Sequence, residues 1–174
     1  VDCPLALGRI TARPVLSPEP SPAFARSTVD GFAVRAVDTY GASESLPAYL
    51  KRIGEISMGQ PANLSLQPGE VALIHTGGML PAFANAVVMV EFTQPSRPGE
   101  VEILKSVASG ENILALGEDV ASGQQVLPAG KLLRAAEIGG LMALGIQKVC
   151  VKKKPIVALI STGDEVIPPH QVPS

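Results

Sequence analysis

Apolar residues along this chain occur in short runs that are separated by turn-forming residues. Five runs carry this pattern, at 32–37, 50–56, 70–75, 86–93 and 100–105. Gly, Pro, Asn and Ser separate the runs at the intervals expected of short strands joined by turns. The pattern predicts a small β domain, built as a barrel or a sandwich.

The segments on either side of these runs follow other patterns. A proline-rich stretch at 17–22 can continue neither a helix nor a central strand, so we expect an extended crossing segment there. Residues 134–144 carry apolar side chains at helical spacing, and Gly145 stands where it can end a helix. One short amphipathic helix is therefore expected.

The expected helix contains a pair of glycines. Gly139 and Gly140 each cost the helix about 1 kcal/mol relative to alanine. We therefore expect another element, or a partner subunit, to pack closely against this pair.

Composition narrows the class of protein. The chain has 174 residues, of which 46% are hydrophobic, and this is enough for a buried core. Its 17 glycines and 16 prolines are too many for a helical bundle and too mixed with apolar segments for disorder. A β-rich fold is the expectation.

Charge and hydropathy argue against two kinds of partner. A formal charge of -2 with 3% aromatic residues offers neither a basic field for a phosphate backbone nor stacking platforms for bases, so no nucleic acid partner is expected. The dense basic run at 152–154 is typical of a solvated linker or strand edge, with anion steering as the alternative. No apolar run approaches the ~20 residues of a membrane span.

The cysteines indicate a reducing compartment. Cys3 and Cys150 lie far apart in sequence and form no Cys-x-x-Cys motif. The whole chain has two histidines. The first residues do not have the charged and apolar regions of a secretion signal. We expect a cytoplasmic chain without structural zinc.

An aspartate and a glycine stand between a polar turn and an apolar run at 27–34. The hydroxyls of Ser27 and Thr28 can hold the turn so that Asp30 points outward. Asp30 is thus a candidate functional carboxylate. The alternative is an Asx-turn that opens the strand at Phe32.

A second glycine turn follows the apolar run at 71–74. The run delivers the hydroxyl of Thr76 and the backbone N–H groups of Gly77 and Gly78 into a turn, and such a nest can bind an oxyanion. A plain Gly-Gly turn is the alternative. His75 has no metal-ligand spacing and is expected to be a packed or solvated side chain.

Two acidic segments complete the candidates. The pair at 118–119 is, on its own, typical of a solvated turn. The run 156–160 ends in the polar turn 161–165, as at the carboxyl end of a parallel strand, where α/β sheets bind ligands. Asp164 and Glu165 are therefore site candidates. The chain has no glycine-rich dinucleotide motif, P-loop or Gly-x-Ser-x-Gly elbow.

Four segments in this order resemble the molybdopterin molybdenumtransferase family, the gephyrin-type proteins that insert molybdenum into molybdopterin; they are 27–34, 75–81, 117–120 and 161–165. The resemblance covers nearly the whole chain. Asn85 departs from it, because the family usually has an aspartate there. The chain ends shortly after the first motif of the family's large α/β domain, so we expect an N-terminal fragment.

The resemblance implies a domain plan with a mixed α/β, β-rich fold. Residues 1–23 and 117–154 would form an elongated, discontinuous stalk. Residues 24–116 would form the inserted β domain. Residues 155–174 would be the first strand and motif of a truncated α/β molybdopterin-binding domain.

The resemblance also implies an activity. Family members make molybdenum cofactor from molybdate and adenylylated molybdopterin and release AMP, in a homodimer whose site joins the β domain of one subunit to the α/β domain of the other. We expect the chain alone to have little or no turnover. A non-catalytic scaffold and a tungsten-inserting paralogue are the alternatives.

The same resemblance assigns the site residues. It implies catalytic roles for four residues, with Thr76 as a hydroxyl donor to substrate: Asp30, Thr76, Asp119 and Glu165. The substrate-binding residues that it implies are Ser27, Gly77, Gly78, Ser161, Thr162, Gly163 and Asp164. Asp30, Asp119 and Glu165 would offer hard oxygen ligands to Mg²⁺. Because carboxylates repel molybdate and pyrophosphate, a cation would have to lie between them.

Overall fold

The computed structural model of the chain describes residues 1–160, 162–163, 166–167 and 170–171. The strands in chain order are β1 (Val15–Leu16), β2 (Arg26–Ser27), β3 (Gly31–Val34), β4 (Ala48–Ile56), β5 (Glu70–Ile74), β6 (Ala86–Met89), β7 (Thr93–Pro95), β8 (Glu100–Ile103), β9 (Ile113–Leu114) and β10 (Gln125–Leu127). The α-helix α1 spans Ala135–Ala143, and 3-10 helices span Cys3–Ala6, Ala36–Thr39 and Val90–Phe92.

The largest sheet has six strands in the order β6-β3-β5-β4-β8-β7. It is open, with β6 and β7 as its edges, and curls as a half-barrel. β4 and β5 are parallel, whereas the other neighbours are antiparallel. The β-rich prediction is confirmed. Within the described ranges, however, the sheet neither closes into a barrel nor faces a second sheet of similar size.

Side chains alternate between two cores, one on each face of this sheet. On β3, Phe32 and Val34 lie in one core and Ala33 in the other. On β6, Val88 lies in the same core as Phe32, and Val87 lies in the same core as Ala33. Both faces are buried, which explains why these strands are continuous apolar runs in the sequence.

Each of the five predicted runs contains a strand, but only the run 50–56 ends where it was predicted to end. The run 86–93 is not one strand, because β6 stops at Met89 and a 3-10 helix carries the chain to β7 at the opposite edge. The backbone N–H of Val90 donates to the carbonyl of Asp30 at 3.0 Å. The run 32–37 similarly ends as a strand at Val34, before the 3-10 helix that starts at Ala36.

Short strand pairs connect the sheet to the rest of the chain. β2 pairs with β9, and Ser21 in the proline-rich stretch bridges Val120. The stretch 17–22 contains no helix and no strand, as its prolines predict.

A third core is built from both ends of the chain. Cys3, Leu133, Leu141 and Val149 are buried in it, and Val15 and Val126 pack against it. β1 pairs with β10 beside this core. Residues 3–15 and 126–151 therefore contribute to one core, while the exact stalk boundaries at 1–23 and 117–154 stay a prediction.

The helix predicted at 134–144 is confirmed as α1. Gly145 follows it with φ 73°. Gly145 N–H donates to the carbonyl of Met142 at 3.0 Å, and Ile146 N–H donates to that of Leu141 at 2.9 Å. This pair of bonds is a Schellman motif, which explains why the helix ends at a glycine.

The expected close packing on Gly139 and Gly140 does not occur within the described part of the chain. A Cβ added at either glycine would meet nothing within 4 Å. The prediction of packing by another element of this chain is therefore wrong. Packing by a partner subunit stays a prediction.

The apolar segment 155–160 pairs with no strand in the part of the chain that the structure describes. Ile156 is 100% exposed and Leu159 94%. The structure also contains, over its described residues, no helix with the length and apolar character needed to cross a membrane.

Candidate functional site

Asp30 stands just before β3, where two backbone segments are tied together. Ser27 N–H donates to the carbonyl of Gly78 at 3.0 Å, and Gly77 N–H donates to the carbonyl of Ser27 at 2.8 Å. The Ser27 hydroxyl is buried and donates to the carbonyl of Val29 at 2.5 Å. These bonds fix the turn after β5 beside the turn that carries Asp30.

One oxygen of Asp30 is held by two hydrogen bonds from Thr76. The N–H of Thr76 lies 2.7 Å from Oδ1, and its hydroxyl lies 3.1 Å from the same atom. The backbone bond first, the hydroxyl bond second and nearby His75 to a smaller extent hold the pKa of Asp30 below its ordinary value. The side chain is 63% exposed. Asp30 therefore presents an ionised carboxylate on an exposed side chain, and Oδ2 accepts no hydrogen bond from the described residues.

The glycine after Asp30 is required by the neighbouring strand. Gly31 lies opposite Met89 on β6. A Cβ at Gly31 would lie 1.9 Å from the carbonyl oxygen of Val88. The Asp-Gly pair therefore reflects a close strand approach, and the Asx-turn alternative does not form, because the carboxylate bonds Thr76 instead of its own turn.

The turn at 76–78 offers no free backbone donor to an anion. Thr76 N–H serves Asp30, while Gly77 N–H and Gly78 N–H each donate to a backbone carbonyl at 2.8 Å. The oxyanion-nest interpretation is therefore wrong for these groups. The hydroxyl proton of Thr76 is also engaged by Asp30. Its predicted donation to a substrate stays a prediction. Substrate contact at Gly77 and Gly78 stays a prediction.

His75 takes part in a row of polar contacts that the sequence interpretation missed. Its Nε2 lies 3.0 Å from Oε1 of Glu55, and its Nδ1 lies 3.8 Å from Oδ1 of Asp30. Glu55 Oε2 also accepts from Arg52 at 3.2 Å. The available signal was the position of Glu55 and His75 at the same ends of two predicted strands, but the sequence does not reveal that β4 and β5 are parallel neighbours.

Asp119 makes its backbone contact with a different segment, the proline-rich stretch. It is exposed, and its N–H donates to the carbonyl of Ser21 at 3.0 Å, beside the Ser21–Val120 bridge. No hydrogen bond or ion pair within the described ranges joins it to Asp30. Its neighbour Glu118 closes a local turn by accepting from Ala115 N–H at 2.7 Å. A catalytic or metal-binding role for Asp119 stays a prediction.

Asn85 has a structural role that explains its side chain. Its Oδ1 accepts a hydrogen bond from Ala36 N–H at 2.7 Å, at the start of a 3-10 helix. The bond needs an acceptor oxygen, which an amide and a carboxylate both supply. The departure of Asn85 from the expected aspartate is therefore compatible with this fold.

The remaining predicted site residues lie near the end of the chain. Ser161, Asp164 and Glu165 fall outside the described residues. Thr162 and Gly163 are exposed, and Gly163 has φ 120°. The structure therefore leaves these five assignments as predictions.

The described residues contain no group of three His, Cys, Asp or Glu side chains that could hold a metal ion. Mg²⁺ is often held in proteins by one or two carboxylates, several waters and substrate phosphates. The open Oδ2 of Asp30 fits that mode as a single oxygen ligand. His75 is a poor partner for so hard a cation.

The half-barrel sheet and the core shared by both chain ends occur together in a known class of protein. A family model described as the MoeA N-terminal region (domain I and II) matches residues 1–145. The chain belongs to this family.

Individual relatives agree with this assignment. The chain is 38% identical over 167 residues to the molybdopterin molybdenumtransferase of Nostoc sp.. The alignment covers 96% of this chain and 38% of that protein. It is 40% identical to a putative molybdopterin biosynthesis protein of Methanocaldococcus jannaschii, over 96% of this chain and 39% of that protein. The chain thus spans well under half the length of these relatives.

A solved structure gives the same result in three dimensions. The crystal structure of a molybdopterin biosynthesis MoeA protein from Pyrococcus horikoshii matches with a TM-score of 0.92 and 42% identity. The match covers 98% of this chain and 44% of that one. The fold of the described residues is therefore that of the N-terminal part of a MoeA protein.

Proposed function

We propose that this chain supplies one half of the active site of a molybdopterin molybdenumtransferase. The proposed reaction uses molybdate and adenylylated molybdopterin to form molybdenum cofactor, with release of AMP. The observation that carries the proposal is the similarity to a protein of that name over 96% of the chain, a stretch that includes Asp30 and Thr76.

The geometry gives the two residues different tasks. Thr76 donates twice to Oδ1 of Asp30, which keeps the carboxylate ionised and fixes its orientation. Oδ2 of Asp30 then faces the substrates, and Ser27, Gly77 and Gly78 form the rigid turn on which they would rest. Asp119, with residues 161–165, completes the site from other segments of the assembly.

Mg²⁺ is the proposed cation at this site. Asp30 would contribute one carboxylate, and Asp119 and Glu165 would contribute further ones if the assembly brings them together. A bound Mg²⁺ neutralises the repulsion between carboxylates and an anionic molybdate or pyrophosphate.

The proposed assembly is a cytoplasmic homodimer. The site would join the β domain, proposed at 24–116, to the α/β domain of the partner subunit, which begins near 155. The unpaired apolar segment 155–160 and the uncovered Gly139-Gly140 face of α1 support an assembly larger than this chain.

The test is AMP release from adenylylated molybdopterin with molybdate and Mg²⁺. We expect release from a chain extended to the full length of the relatives, little or none from these 174 residues, and a loss of about 100-fold with Asp30→Ala in the extended chain. Glu44→Ala, which removes an exposed carboxylate elsewhere, is the control.

Tungstate in place of molybdate tests the tungsten alternative. No metal-dependent release from any chain would favour a scaffold.

A further inference from the structure

Arg52, Glu55, His75 and Asp30 form a row of contacts in which only Asp30 has a part in the proposed chemistry. The row runs from the end of β4 across the end of β5 to the start of β3. Arg52 and Glu55 are 3.2 Å apart and Glu55 and His75 3.0 Å apart, both at hydrogen-bond distance. His75 approaches Asp30 at 3.8 Å, which is a close contact without a hydrogen bond.

The sheet register places Glu55 and His75 on the same face. Glu55 on β4 is opposite Leu73 on β5, and His75 follows Leu73 by two positions. Residues two apart along a strand direction point to the same side, so both side chains meet at that end of the sheet. Because an ionised carboxylate only accepts hydrogen bonds, Nε2 of His75 donates to Glu55.

This bond fixes the orientation of the imidazole ring. With Nε2 held by Glu55, the Nδ1 edge lies beside Oδ1 of Asp30. The ring therefore approaches the same carboxylate oxygen that Thr76 holds. Since the Asp30 side chain is 63% exposed, little else limits its rotation apart from Thr76.

We propose that His75, anchored by Glu55, is a positioning residue for Asp30. It keeps the carboxylate in the rotamer that receives both Thr76 bonds on Oδ1 and leaves Oδ2 directed at the substrates or their cation. The positioning follows from the contacts of this chain, whereas its effect on turnover rests on the proposed function.

Exposed ion pairs contribute little to global stability, so removing the Glu55–His75 pair will barely change the unfolding transition. Its effect will appear in the orientation of Asp30. A purely structural surface pair would leave that orientation unchanged.

The first test measures the side-chain rotamers of Asp30 by three-bond NMR couplings in this chain. We expect one dominant χ1 rotamer in the wild type and averaging over several in His75→Ala and in Glu55→Leu. Glu55→Gln keeps an acceptor for Nε2–H and will keep the single rotamer. Glu44→Leu is the control. An unchanged rotamer distribution in both His75→Ala and Glu55→Leu would overturn the proposal.

The second test measures AMP release in the chain extended to the relatives' length. His75→Ala should lower kcat about tenfold, as outer partners of active-site groups often do, with KM changed less than about twofold. In an Asp30→Ala background it should have no further effect, because it acts through Asp30. Equal effects in both backgrounds would overturn the proposal. If the wild-type extended chain releases no AMP, the proposed function fails, and the rotamer measurement still decides the positioning.

Discussion

Gly31 is the position at which one added carbon conflicts most directly with the fold. Alanine there would place Cβ 1.9 Å from the carbonyl oxygen of Val88, so β3 or β6 would have to move. We expect Gly31→Ala to lower the free energy of unfolding by about 3 kcal/mol. Urea denaturation followed by circular dichroism measures this loss.

The matched control is a glycine-to-alanine substitution at a position where the added Cβ conflicts with no other atom. At Gly139 an added Cβ meets nothing within 4 Å. Gly139→Ala should therefore raise the free energy of unfolding of this chain by up to about 1 kcal/mol through helix propensity. Similar losses at both positions would contradict the strand-approach explanation of Gly31.

Thr76 sets the protonation of Asp30 through two separate groups. Thr76→Val removes the hydroxyl bond and keeps the stronger backbone bond, so the pKa of Asp30 should rise part of the way toward its ordinary value. Carboxyl ¹³C shifts of Asp30, followed by NMR during an acid titration, measure this change.

The sign of the accompanying stability effect follows from linkage. A carboxylate whose pKa is lowered by folding stabilises the fold above its unfolded pKa, and this contribution is lost as pH falls through the folded value. In Thr76→Val the folded and unfolded pKa values of Asp30 should lie closer together. The stabilising contribution of the carboxylate should therefore be smaller and should disappear at a higher pH. Thr76→Ser, which keeps the hydroxyl, should titrate like the wild type; a Val variant that also does so would refute the hydroxyl contribution.

At the scale of elements, the sequence predicted α1 and the strands of the main sheet other than β7, but not the short strands β1, β2, β9 and β10. The runs at 50–56 and 70–75 match β4 and β5 closely, because strands buried on both faces are continuous apolar runs. The split of the run 86–93 could not be predicted, since it depends on where the far edge of the sheet lies. The end of α1 at Gly145 was predictable from local chemistry alone.

The start of α1 depends on one glutamate. Glu137 accepts from the Arg134 side chain at 2.7 Å and 3.1 Å and from the Arg134 N–H at 3.0 Å. The Arg134 side-chain bonds, first among the causes, lower the pKa of Glu137 from 4.5 to about 2. Lys131 approaches it at 3.6 Å. The ionised carboxylate therefore holds the start of the helix more strongly than the protonated form would, because its bonds with Arg134 are charge-assisted.

This pKa predicts a pH dependence of helix stability. The stabilisation is fully present above a pH of about 4.5 and is lost as pH falls toward about 2. Glu137→Gln should flatten the dependence of the unfolding free energy on pH in that window, measured by urea denaturation at several pH values. Glu44→Gln, at an exposed position, should leave the slope unchanged. A slope in Glu137→Gln equal to that of the wild type would show that other carboxylates cause it.

At the scale of the whole molecule, the sequence named candidate site residues but not their arrangement. Asp30 and Thr76 are 46 positions apart, and the contact between them depends on the pairing of β3 with β5. Asp119 was named on equal terms, yet its backbone bonds Ser21, and no hydrogen bond or ion pair joins it to Asp30 within the described residues. Resemblance identifies residues one by one, whereas long-range strand pairing decides which of them meet.

The separation of Asp30 from Asp119 and from the segment 161–165 in sequence suggests a test of how the site is completed. In the proposed homodimer, Asp30 of one subunit works with Glu165 of the other. An extended chain carrying Asp30→Ala and another carrying Glu165→Ala should each be inactive. Mixed after unfolding and refolding, they form heterodimers in which one of the two sites has both residues intact.

Random association makes half of the dimers mixed, so about a quarter of all sites should be intact and AMP release should recover to about a quarter of the wild-type rate. The double variant Asp30→Ala/Glu165→Ala, mixed with wild type, is the matched control. It places both defects on one subunit, so each mixed dimer has two defective sites and release should fall to about a quarter as well. Because a site contained in one subunit would give no recovery in the first mixture and about half the wild-type rate in the second, the two mixtures together decide whether the site is shared between subunits.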